Sequence, residues 1–153
     1  MNSTGAVARQ NDRSSLHPFV TGIAGMLTFA SAMAVGEIYG LNSDQASSEN
    51  SVTAWIAAAA IAAVGLAIAL WLGNKAWSGS PMRLSRTALG LSLASAATYL
   101  AFWSGWPSIF SAVAIGLALE HRRRGNSSSV VTGFAVGLGF LVFVATGIIC
   151  VLG

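Results

Sequence analysis

Glu37 has the strongest claim to chemistry in this chain of 153 residues. It is the one carboxylate drawn into a long apolar run. An ionised group at mid-bilayer costs at least ~3 kcal/mol, so carboxylates held there tend to mark proton or ion paths. Glu37 sits about one turn from the outer end of its run, beside Tyr39, where headgroup water is within reach. No other run offers a Lys, Arg, His or acid at matching depth. A second constellation is hydroxylic. Ser92, Ser95 and Tyr99 recur at spacings of three and four, which puts them on one helix face, and Ser108 and Ser111 follow after a break. Such hydroxyls either join two helices as a polar seam, at about 0.6 kcal/mol per bond, or bond back to their own helix carbonyls. A polar substrate channel is the sharper reading, and it would rest on Glu37 and this seam.

The one dense polar cluster is Glu120, His121, Arg122, Arg123 and Arg124. Arginines beside an apolar run anchor topology and attract anionic lipid by about 1 kcal/mol each. A metal ion would need more ligands than Glu120 and His121, and His17 is remote in sequence. No nucleophile–base arrangement, Gly-rich phosphate loop or paired carboxylate is present. We therefore expect no catalytic residue, no cofactor and no metal site, and read the chain as a non-enzyme.

The elements that must position these groups follow from composition. The chain is 54% hydrophobic and 8% charged, whereas a soluble domain carries about 25% charged residues to wet its surface. The apolar residues lie in blocks near the length that ~30 Å of hydrocarbon demands. This pattern describes an all-α, polytopic integral membrane helical bundle. The net charge of +3 reflects Lys and Arg in cytoplasmic loops, and nucleic acid is not expected as a partner. Cys150 is the only cysteine, so no internal disulfide forms, and it reads as a small core residue. Arg9, Arg13 and the small residues at 31–34 have the look of a signal peptide, but the apolar run continues to Gly40, too long for a signal core.

Residues 1–16 read as a disordered cytoplasmic tail, and 17–153 as a single membrane domain. Five transmembrane helices are expected, at 18–40, 51–73, 86–103, 107–121 and 129–152, with the loop 74–85 turning at Gly79-Ser80-Pro81. The division at Ser104-Gly105-Trp106-Pro107 decides the topology. As one straight helix, residues 86–120 would reach about 52 Å, far beyond the hydrocarbon thickness. Pro107 disfavours a helical Trp106 and cannot donate to the carbonyl four residues back. Charge agrees. With the tail inside, all eight basic residues lie inside with Asp12 and Glu120, leaving +6, and Glu37, Asp44 and Glu49 leave −3 outside. An unbroken helix would instead export the arginine triplet, against the positive-inside rule. The run is therefore a hairpin, with the N-terminus inside and the C-terminus outside. Its return limb, about 22 Å for fifteen residues, is short enough to be partly re-entrant.

Small residues four apart recur: Ala32, Gly36 and Gly40; Gly65, Ala69 and Gly73; Ala88, Ser92 and Ala96; Gly133 and Gly137. Such stripes let backbones approach closely. Gly36, Gly40, Gly65, Gly73, Gly133 and Gly137 are therefore expected to pack helices, within the chain or between chains.

The segment from residue 86 to about 147 opens on Ala88-Leu89-Gly90-Leu91. It returns through Ala114-Ile115-Gly116-Leu117-Ala118-Leu119 to Arg122, Arg123 and Arg124, and ends in a helix with Gly133, Gly137 and Gly139. This pattern resembles an uncharacterised bacterial membrane domain frequent in actinobacterial-type, high-GC Gram-positive organisms. The resemblance implies a multi-pass protein of the bacterial cell membrane and no particular activity. The expected role is a non-catalytic accessory or structural subunit, with the lipid bilayer and other membrane proteins or a homo-oligomer as partners. The alternative is a small-molecule or ion transporter using Glu37.

Overall fold

The structure is a computed structural model that describes residues 17–38, 51–124 and 130–152, with the side chains at 37, 38, 51, 52, 54 and 152 outside the described set. The helices are α1 (Pro18–Ile38), α2 (Ser51–Trp77), α3 (Pro81–Ala97), α4 (Trp106–Arg123) and α5 (Val130–Leu152), with a 3-10 segment, Thr98–Ser104, between α3 and α4. Among the described residues there is no strand.

Prolines open three helices. Pro18, Pro81 and Pro107 each sit in a first turn, where the missing N–H has no intrahelical partner to lose and φ is already set. Pro81 changes the expected loop. α2 runs on to Trp77 and α3 starts at Pro81, so the expected loop 74–85 shrinks to residues 78–80. The polar stretch after Pro81 remains helical because its faces segregate. Leu84 and Ser85 point into the core, while Met82, Arg83 and Arg86 face out.

The chain reverses at Gly105, as the hairpin reading requires. Gly105 has φ 74° and ψ −8°, the left-handed region, and its N–H donates to the Phe102 carbonyl at 3.1 Å. A Cβ there would also lie 2.9 Å from the Phe29 ring. Backbone conformation and close approach thus both require glycine. The outgoing limb tightens to 3-10 at Thr98 and bends at Ala101, several residues before the expected helix end at 103.

α4 is the hub. It packs against α1, α2, α3 and α5, and those four close a ring around it in the order α1–α2–α3–α5, with α5 returning to α1. Ile109, Val113 and Leu117 of α4 are fully buried, against Leu84, Ala88 and Leu91 of α3 and Ala135 of α5. α2 contributes Ala62, Ala69 and Ala76; a spacing of seven keeps a helical stripe on one line.

Three helices, α1, α2 and α5, are long and apolar enough to cross a membrane; α3 and α4 are not. The expected five spans are thereby corrected. Apolarity was read as lipid contact, but α4 is apolar because protein surrounds it. Depth agrees: Gly105 meets Phe29 of α1 and Trp106 bonds Ile61 of α2. Beyond those levels α1 continues for about 13 Å and α2 for about 15 Å, at 1.5 Å per residue. The hairpin stops short of the ends of its neighbours.

Candidate functional site

Helix direction gathers the polar side chains at one end of the bundle. The start of α1, the end of α2, the start of α3 and the end of α4 meet there. The last carbonyls of a helix lack intrahelical donors, and Arg124 supplies one to the end of α2. Its Nη1 donates to the Trp77 carbonyl at 3.3 Å. Its guanidinium lies 4.9 Å from the centre of the Trp77 ring, and its Nε pairs with Glu120 Oε1 at 3.1 Å. On the same indole, His17 packs with ring centres 5.3 Å apart, while its Nδ1 accepts the Phe19 N–H at 3.2 Å and caps α1. A histidine remote in sequence therefore joins the cluster through an aromatic contact.

His121 is buried and turns the other way. Its Nδ1 lies 2.9 Å from the Pro81 carbonyl; a carbonyl only accepts, so Nδ1 carries the proton and donates. This bond ties the end of α4 to the start of α3. Glu120 and His121 thus serve different neighbours, and among the described residues no three His, Cys, Asp or Glu side chains converge. Arg122 and Arg123 are exposed. Arg124 is exposed as well, but contacts divide the triplet: Arg124 ties the end of α4 to Trp77 of α2, while Arg122 reaches over the start of α5.

The hydroxyl seam forms in altered shape. Ser95 Oγ donates across the hairpin to the Pro107 carbonyl at 3.0 Å. Ser111 donates within α4, to the carbonyls of Pro107 at 2.7 Å and Ser108 at 3.0 Å. Ser108 contributes that carbonyl, which also faces Gly25 of α1. Ser92 does not cross to the returning limb; it donates to the Ala135 carbonyl of α5 at 2.8 Å. Tyr99 lies in the 3-10 segment and is half-buried. The residues that complete the seam are Ser85 and Thr132, whose hydroxyls are 3.3 Å apart and link α3 to α5. Ser85 continues the seven-residue spacing below Ser92, a signal available in the sequence; Thr132 carried none.

The glycines divide as well. Gly65 admits Trp106: a Cβ there would lie 2.4 Å from the indole Cδ1, and the indole Nε1 donates to the Ile61 carbonyl at 2.8 Å. Ile61 is the residue whose carbonyl the Gly65 N–H engages within α2, so the missing side chain opens that carbonyl to a second donor. Gly73 seats Pro18, with 2.8 Å between the built Cβ and the proline Cβ. Gly36 is buried, and Gly40 lies outside the described residues. Gly133 and Gly137 are not close-packed against another helix of this chain. Gly137 is exposed with no atom within 4 Å of its Cβ position, and Gly133 meets only Arg122 Nη2 at 3.9 Å. The close contacts are instead at Gly25, 2.8 Å from both Ala112 Cβ and the Ser108 carbonyl, and at Gly116, 2.6 Å from Thr21. Glu37 falls in the last turn of α1, and its side chain lies outside the described residues. Cys150 is buried on α5. Comparison with protein-family models, with curated proteins and with solved structures finds no match for the chain.

Proposed function

We propose that this is a non-catalytic membrane protein that acts by packing, as an accessory or structural subunit of larger membrane machinery or of a homo-oligomer. One observation carries the reading: the interior hydroxyls of Ser85, Ser92, Ser95, Ser111 and Thr146 each engage a backbone carbonyl or a partner hydroxyl. Those of Ser85, Ser92 and Ser95 join helix to helix, those of Ser111 and Thr146 bond within their own helices, and none is left to line a path. The outer face of α5 supports it too, because Gly137 leaves a notch among the exposed Phe134, Phe140 and Leu141, the form that a neighbouring membrane helix fills.

The bundle crosses the bacterial cytoplasmic membrane with α1, α2 and α5, and α3–α4 enters and returns on the side of the basic residues. By the positive-inside rule that side is the cytoplasm, with the N-terminus inside and the C-terminus outside. Purification in mild detergent is expected to bring down a stoichiometric partner or a defined oligomer, and Gly137→Leu to release it without unfolding the bundle. A lone monomer that carries flux, abolished by Glu37→Gln, would replace this reading with the transporter. The re-entrant hairpin has its own test. In a Cys150→Ala background, Leu100→Cys should resist a membrane-impermeant thiol reagent applied from the extracellular side, whereas a fully spanning hairpin would be labelled.

A further inference from the structure

The described residues include six cations, Lys75, Arg83, Arg86, Arg122, Arg123 and Arg124, and all lie toward one end of the bundle. The one acid described there, Glu120, is buried and held by Arg124. Lys75 is also engaged, its Nζ 5.2 Å from the centre of the exposed Trp71 ring. Arg83, Arg86 and Arg122 are exposed and have no acidic partner among the described residues. Three contacts bring their helices together. His121 bonds the Pro81 carbonyl, so the end of α4 lies beside the start of α3. The Ser85–Thr132 contact sets the first turn of α5 against α3. Arg122 Nη2 lies over that turn, 3.9 Å from the Cβ position of Gly133. Arg86 follows Ser85 directly, whereas Arg83, two positions before Ser85 and about 200° around the helix, lies over the α2–α3 turn, its Cδ 2.7 Å from the Cβ position of Gly79.

We propose that Arg86 and Arg122 form a binding face for the phosphate headgroup of an anionic phospholipid at the α3–α4–α5 seam, with the acyl chains along the outer faces of α3 and α5. Those faces supply the apolar side: Met82, Leu93, Val130, Val131 and Phe134 are exposed. Guanidinium is the group suited to phosphate, because its planar fork gives paired N–H donors. Positive potential from the α5 N-terminus adds to the two charges. Arg124 is excluded, since its Nε and Nη1 already hold it on Glu120 and Trp77, away from α5. This divides the roles within one triplet and does not depend on the accessory-subunit reading.

The test uses the full chain in an uncharged detergent, titrated with phosphatidylglycerol or phosphatidylcholine and read by native mass spectrometry and thermal unfolding. Wild type should favour phosphatidylglycerol by at least about tenfold, less so in about 0.5 M salt, where charges screen within a few ångströms. Each arginine removed should weaken that binding about fivefold. The double variant R86Q/R122Q should lose the preference while unfolding at the wild-type temperature without lipid. If the double variant does not fold, R122Q alone should still show its fivefold loss. R124Q should do the reverse, unfolding earlier and keeping the preference. No preference in wild type, a preference that survives in the folded double variant, or one left undiminished in R122Q, would overturn the proposal. So would loss of the preference in R124Q, insensitivity to salt, or glycerol phosphate matching the lipid at equal concentration.

Discussion

Replacing Gly65 with alanine should test the central packing of this protein, because one methyl group there meets a rigid ring. The new Cβ would lie 2.4 Å from Cδ1, 2.6 Å from Nε1 and 2.9 Å from Cγ of Trp106. Three atoms of one plane are struck at once, so no small rotation clears them. The indole must withdraw, breaking its bond to Ile61 and pressing on Phe110, whose ring centre is 5.7 Å away. Overpacking costs about 1–3 kcal/mol, and the stranded indole N–H adds roughly 1 kcal/mol. Against this, alanine gains about 1 kcal/mol of helix propensity over glycine. The net expectation is a loss of about 1–3 kcal/mol, measured by reversible unfolding in detergent micelles. Gly137→Ala supplies the control: its Cβ meets open space, so propensity alone acts and stability should hold or rise slightly. A double-mutant cycle with Trp106→Phe isolates the contact. The smaller ring leaves room for the methyl, so the double variant should lose less than the sum of the singles by at least ~1 kcal/mol. Additivity in that cycle, or equal stability of Gly65→Ala and Gly137→Ala, would refute the reasoning.

Gly25→Ala should destabilise more stubbornly, by about 2 kcal/mol or more, since its Cβ meets the Ser108 carbonyl at 2.8 Å and backbone cannot step aside; thermal unfolding in detergent reads this directly. Arg124→Gln should cost about 1–3 kcal/mol, between the values for exposed and buried pairs, because it uncaps α2 and strands Glu120; adding Glu120→Gln should recover part of the loss. Ser92→Ala should cost only about 0.6 kcal/mol, because Ala135 remains bonded within α5, and a loss above 2 kcal/mol would show that the seam does more than join α3 to α5. His121→Ala should loosen the start of α3 by about 1–2 kcal/mol, seen as faster amide exchange at Leu84 and Ser85 with little change near Gly105.

Chain chemistry alone determined the helical class, the break at Gly105 and the gathering of basic residues at one end. Each is a local property: block length, a left-handed turn beside proline, and charge counted along a strand of known direction. The division of labour among similar residues was decided by the tertiary structure. Gly65 and Gly137 look alike in sequence, yet one receives an indole and the other faces outward, because burial depends on which neighbour a helix face meets. Arg122 and Arg124 differ by only two positions, about 200° around a helix, which turns one toward α5 and the other onto Trp77. Five apolar runs became three helices able to cross a membrane for the same reason. Apolarity measures what a side chain avoids, and only packing reveals whether lipid or protein provides the shelter, as the encirclement of α4 by its four neighbours shows.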